Sequence, residues 1–199
     1  MDSEPLTNRV IAEMIREYDI EITTEQCLDL FAGKTMGHIT QFIKDHGKEL
    51  SEDQFEKSYR SRCTDVFKSD LRAIPGVEEL IRSLSIDYCV ASNGPKVKMK
   101  ETLPAAGLDS YFVDRTYSAY DVQKWKPEPD LFLHVCEDRK CSPTDALVLE
   151  DTWSGMMGAI NAGIDVWAYN PHYDTRTYLD GVPNFSEMSA VRQFISLYI

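Results

Sequence analysis

The chain has 199 residues, 43% of them hydrophobic, which is enough for one large core or two small ones. Its 33 acidic against 21 basic residues leave a net charge of -12, which argues against nucleic acid or an anionic membrane as partner, since both need a basic face. Five cysteines without a Cys-x-x-Cys, no visible signal peptide and no apolar run near the ~20 residues of a bilayer span lead us to expect a cytoplasmic protein with reduced thiols.

The first seventy residues read as helices, each with its own punctuation. In TNRVIAEMIREYDI, Val10, Ile11, Met14, Ile15 and Tyr18 share one face at helical spacing. Thr23 and Gln26 form a Thr-x-x-Gln capping box ahead of CLDLFA, which Gly33 ends. Thr35 is placed to cap the next helix, whose stripe of Met36, Ile39, Phe42, Ile43 and His46 runs to Gly47. Ser51 and Gln54 repeat the capping-box pattern before Phe55, Tyr59, Cys63 and Val66. No run here reads as a strand, so a small all-helical unit is expected, with a hinge near residues 69–75.

After Pro75-Gly76 the texture changes. VEELIRSL reads as an amphipathic helix and DYCVA as a strand; a helical segment over residues 97–103 follows, then YFVDRTYSAY with at least one strand. DLFLHVCEDRK is a helix led by prolines, ALVLE a dense apolar strand, WSGMMGAINAG a helix of small residues and DVWAY another strand. SEMSAVRQFISLY closes the chain as an amphipathic helix. This alternation implies an α/β fold with a mostly parallel sheet covered on both faces. Functional residues of such sheets gather just past the carboxyl ends of the strands.

Three strand ends carry candidate chemistry. Ser92-Asn93-Gly94 offers a hydroxyl and backbone amides to an anion, although Asn-Gly is equally a common turn. Lys126 in KWKPEP sits where Pro127 and Pro129 stiffen the backbone, so its ammonium is either positioned against a phosphoryl or carboxylate group or simply solvated. Glu150-Asp151 place adjacent carboxylates at the end of a buried strand, where mutual repulsion and desolvation call for a cation such as Mg2+; alternatively, Asp151 caps the following helix.

In this order, VASNGP, SAYDVQKWKPEPDLF and ALVLEDTWSGMMGAINAG resemble the second, third and fourth motifs of the haloacid dehalogenase-like (HAD) hydrolases. The spacing is similar to that of the branch holding β-phosphoglucomutase and small phosphosugar phosphatases, especially the 6-phosphogluconate phosphatase group. The resemblance implies a helical cap domain at residues 5–70 and a Rossmann-like α/β core at 1–4 and 71–199. It also implies Mg2+-dependent phosphoryl transfer through an aspartyl-phosphate, with a small phosphorylated metabolite as partner. Ser92 would donate to the phosphoryl group, helped by amides near Asn93 and Gly94, and Lys126 would offset charge. Asp151 would hold the metal, with Glu150 touching it directly or from behind its ligands, Lys34 would contact the substrate's phosphate or carboxylate unless it simply faces solvent, and Asp2 would orient the hinge.

Family members begin with an apolar strand ending in Asp-x-Asp-Gly-Thr, two residues before an Asp-Ser-Glu. MDSEP resembles the tail of that segment. The expectation is therefore that the central first strand and the attacking aspartate are absent, so that the chain as written is marginally stable and inactive. The competing readings are a non-catalytic remnant that still binds phosphate, and a phosphosugar mutase.

Overall fold

The structure, a computed structural model, describes residues 1–31, 34–171 and 179–197. The chain divides into two compact units, Met1–Ala73 with Ala105–Gly107, and Ile74–Pro104 with Leu108–Ile199.

The first unit is helical: α1 (Glu4–Arg16), α2 (Thr24–Phe31), α3 (Met36–Asp45) and α4 (Glu52–Asp70). The apolar stripe of α1 supplies Val10, Ile11, Met14 and Ile15 to a core completed by Cys27, Ile39, Ile43, Phe55, Cys63 and Phe67. Met1 packs against this core, so residues 1–4 group with the helices rather than with the α/β unit. Thr23 and Gln26 form the expected reciprocal box: the Thr23 N–H donates to Gln26 Oε1 at 2.8 Å and the Gln26 N–H to Thr23 Oγ1 at 3.2 Å. Ser51 and Thr35 occupy N-cap positions without side-chain capping bonds. The Thr35 hydroxyl instead pairs with His38 Nδ1 at 2.9 Å. His46, expected on the buried stripe, is exposed, its Nδ1 bonded to the Phe42 carbonyl. Gly33, expected to stop α2, lies outside the described residues, as does Tyr198 at the end of the expected terminal helix.

The second unit carries α5 (Val77–Ser83), β1 (Val90–Ser92), α6 (Lys96–Ala105), β2 (Thr116–Ser118), α7 (Ala119–Val122), α8 (Asp130–Arg139), β3 (Leu147–Glu150), α9 (Trp153–Asn161), β4 (Asp165–Tyr169), β5 (Asn184–Phe185) and α10 (Met188–Ile195). All pairing among the described residues is parallel, in two sheets: β1–β2, and β3–β4–β5 with β4 central. No ladder joins β1 to β3 among the described residues.

Strand alternation decides which helix covers which face. Val166 and Ala168 of β4 pack with Phe132 and Cys136 of α8 and with Met156 and Ala159 of α9. Trp167 and Tyr169 face the other way, onto Leu80 of α5, Met188 and Val191 of α10, and the rings of Phe185 and Phe194. The result is a three-layer helix–sheet–helix arrangement. Helix α8 also serves the smaller ladder, since Leu131 and Val135 pack with Tyr117, Ala119, Cys89 and Ala91.

The strand expected over DYCVA is shorter than its apolar run. Arg115 pairs with Asp87 at 2.8 Å and donates to the Tyr88 carbonyl at 3.4 Å ahead of the strand. Pairing begins with the Val90 N–H on the Arg115 carbonyl at 2.9 Å. Bonds to a parallel neighbour come from alternate residues, so Ala91 turns its backbone groups to the edge away from β2.

Trp167 is 7% exposed and fills the centre of one layer, whereas Trp153 is 48% exposed. Urea unfolding of Trp167→Ala is expected to show a loss of about 3–5 kcal/mol. Trp153→Ala should fall within about 0.5 kcal/mol of the parent.

Candidate active site

Just past β1, the Ser92 hydroxyl accepts the Gly94 N–H at 3.0 Å, a local turn that fixes the direction of the Ser92 oxygen. The amide of Gly94 is thus turned onto Ser92, while the Gly94 carbonyl accepts the Ser118 hydroxyl at 2.7 Å. Ser118 is fully buried at the end of β2. It also caps α7, accepting the Tyr120 N–H at 3.2 Å, while Asp121 accepts the Ser118 N–H at 3.1 Å. Lys96 pairs with Asp121 at 2.8 Å and holds its carboxyl below the usual carboxylate range.

Asn93 is more than a turn residue. Its Oδ1 accepts the Lys126 N–H at 2.9 Å and its Nδ2 donates to the Lys126 carbonyl at 3.4 Å. One residue on, Asn161 Nδ2 donates to the Pro127 carbonyl at 3.0 Å. Two asparagines from different elements therefore clasp the loop at Lys126-Pro127, whose peptide bond is cis.

The Lys126 side chain lies inward at 7% exposure and Glu150 at 10%. Lys126 Nζ donates to the outward-turned Ala91 carbonyl at 3.0 Å, forms a short ion pair with Glu150 Oε1, and sits 4.8 Å from the centre of the Phe132 ring. One ammonium therefore joins the open edge of β1 to the end of β3. The other Glu150 oxygen accepts the Asp151 N–H at 3.2 Å, the Thr152 N–H at 3.3 Å and the Thr152 hydroxyl at 3.0 Å. Thr152, not Asp151, is the N-cap of α9, its oxygen accepting the Gly155 N–H at 3.1 Å. Gly155 is required by contact: a Cβ there would lie 2.0 Å from Glu150 Cδ.

The structure thus brings together Ser92, Asn93, Gly94, Lys126, Glu150 and Asp151 in the second unit. Lys34 and Asp2 belong to the first. Lys34 is exposed just before α3, and Asp2 Oδ1 accepts the Glu4 N–H at 3.2 Å in the first turn of α1. Sequence reasoning missed Ser118 and Thr152. The Ser-x-x-Asp of Ser118-Asp121 is a legible capping signal; Thr152 had none beyond its place before a helix.

Mg2+ is usually held by one or two carboxylates, with water and phosphate oxygens completing its shell. Both Glu150 oxygens are engaged, one by Lys126 and the other by the Asp151 and Thr152 groups, so Glu150 also supports the strand end. Asp151 is exposed beside it and fits a ligand. Among the described residues no group of three His, Cys, Asp or Glu side chains is placed to hold a metal alone. The donor set suits a hard ion that arrives with its own oxygen ligands.

Removing one member of a buried pair strands the other charge. Lys126→Met is expected to cost about 3–5 kcal/mol in urea unfolding. Gly155→Ala should also destabilise, because its methyl group would drive the Glu150 carboxylate out of the pair.

Residues 1–169 match the haloacid dehalogenase-like hydrolase family. Over 175 residues the chain is 30% identical to the 6-phosphogluconate phosphatase of Escherichia coli (strain K12), spanning 86% of this chain and 79% of that one. It is 31% identical over 118 residues to the phosphorylated carbohydrates phosphatase of Thermotoga maritima, spanning 58% of this chain and 54% of that one. In fold, a Thermotoga maritima structure assigned to β-phosphoglucomutase superposes with a TM-score of 0.86 at 23% identity, covering 100% of this chain and 94% of that chain. With a match over most of its length, an α/β unit of parallel strands and the three strand-end motifs in order, the chain belongs to the haloacid dehalogenase-like hydrolases.

Proposed function

We propose that the chain carries the phosphate- and metal-binding part of a Mg2+-dependent phosphatase of small phosphorylated sugars or sugar acids, 6-phosphogluconate among them, acting in the cytoplasm. One arrangement carries this reading: Ser92 at the end of β1 and Glu150-Asp151 at the end of β3, joined through the Lys126 ammonium. Ligands of parallel α/β sheets bind outside such carboxyl ends.

Each residue has a role its contacts support. The Ser92 oxygen accepts the Gly94 amide and keeps its own proton to donate to a phosphoryl oxygen. Lys126, held by Ala91 and Glu150, sets a fixed positive charge beside the transferring group. Asn93 holds the Lys126 backbone so that the ammonium cannot drift. Asp151 is the carboxylate that would hold Mg2+, with Glu150 bracing the strand end behind it. When bound, Mg2+ would withdraw charge from the phosphoryl oxygens. The helical unit, at residues 5–70, is read as the family's cap.

In the proposed reaction the phosphoryl group passes to an aspartate carboxylate and then to water, splitting one difficult step into two. The 199 residues contain no Asp-x-Asp-Gly-Thr. On this reading a polypeptide of these residues alone binds the phosphorylated ligand and does not turn it over.

The test is to append, ahead of Met1, an apolar strand ending in Asp-x-Asp-Gly-Thr and to measure phosphate release from 6-phosphogluconate. The extended chain should release phosphate only with Mg2+, and Ser92→Ala in it should lower kcat by about 10²–10³. The 199-residue chain should release none. Turnover by the unextended chain, or a folded extended chain inactive on every phosphorylated sugar tried, would sink the proposal.

A further inference from the structure

The end of α8 brings two cysteines together for a reason set by the backbone. Lys140 is left-handed with φ 56°. Its N–H bonds the Glu137 carbonyl at 3.2 Å, and the Cys141 N–H bonds the Cys136 carbonyl at 3.0 Å. This pair of bonds is a Schellman cap, in which the side chains at the two ends of the longer bond pack against each other. Here both are cysteines, so the cap turns their two side chains toward each other. Cys136 is buried and Cys141 exposed. Cys89 is half-buried just before β1. Cys27 and Cys63 are buried in the helical unit.

We propose that Cys136 and Cys141 are a redox-active dithiol that a peroxide converts to a disulfide. The Cys141 sulfur attacks the O–O bond of hydrogen peroxide; one oxygen stays on sulfur as a sulfenic acid and the other leaves as water. The Cys136 sulfur then displaces that hydroxyl, which departs as a second water with the Cys136 proton. Two thiols lose two electrons, and one peroxide becomes two waters. Exposure sets the order. Burial pushes the Cys136 thiol up to about 11, so Cys141 meets the oxidant first. Little movement is needed, because a backbone hydrogen bond already closes the loop from 136 to 141.

A non-reducing tryptic map of the full chain after brief hydrogen peroxide treatment tests this. Arg82, Lys96, Arg139 and Lys140 put Cys89, Cys136 and Cys141 on three different peptides. The expected product is the Cys136 peptide linked to the Cys141 peptide, separated again by dithiothreitol, with Cys27 and Cys63 still reduced. Cys89→Ser should leave that link intact, and Cys136→Ser should divert Cys141 to sulfinic and sulfonic acid. A Cys89–Cys141 link in the parent chain, or Cys141 over-oxidised while Cys136 stays a thiol, would overturn the proposal.

Discussion

Two opposite charges, Lys126 and Glu150, are withdrawn from water at the ends of two strands, and the surrounding structure is arranged to keep them there. Desolvating such a pair costs several kcal/mol per ion unless every remaining donor and acceptor is used. Here they are used closely. The ammonium has the Ala91 carbonyl and the face of Phe132 besides its partner, and the far Glu150 oxygen has two amides and the Thr152 hydroxyl. Asn93 and Asn161 fix the loop that delivers the lysine, and Gly155 leaves the space the carboxylate needs. Asp151 is left at the rim, next in chain to a carboxylate that cannot move.

The pair also bears on how the second unit holds together. Among the described residues its strands form two sheets, and no strand pairing connects β1 with β3. What connects them is side-chain chemistry: α8 lays Leu131 on one ladder and Phe132 on the other, and the Lys126 ammonium bridges the strand ends. The small residues of α9 fit the same scheme. A Cβ at Gly158 would approach the Phe132 ring to 3.2 Å, so glycine there lets α9 lie close to α8.

Much of this was legible where one residue's neighbours in sequence decide its structure. The stripe of α1, the apolar run of β4 and the Thr23–Gln26 box depend on spacing alone, and they form as read; β3 forms as a strand, but it is exposed to half-buried where a buried one was expected. Features set by partners far along the chain were not legible. Ahead of β1, Arg115 pairs with Asp87, twenty-eight residues away. The partner of Lys126 is twenty-four residues off in another element, so a lysine read as facing phosphate proves to be held by Glu150 as well. Ser51-Gln54 looks in sequence like Thr23-Gln26, yet the Ser51 side chain makes no capping bond; the pattern permits the bond without compelling it.

If the strand ends form a phosphate and metal site, phosphate and Mg2+ must each strengthen the binding of the other through Asp151. Calorimetric titration of the 199-residue chain with 6-phosphogluconate, with and without Mg2+, measures this directly. The account predicts that Mg2+ strengthens binding in the parent chain and leaves it unchanged in Asp151→Asn. Binding of equal strength with and without Mg2+, or unchanged by Asp151→Asn, would contradict it.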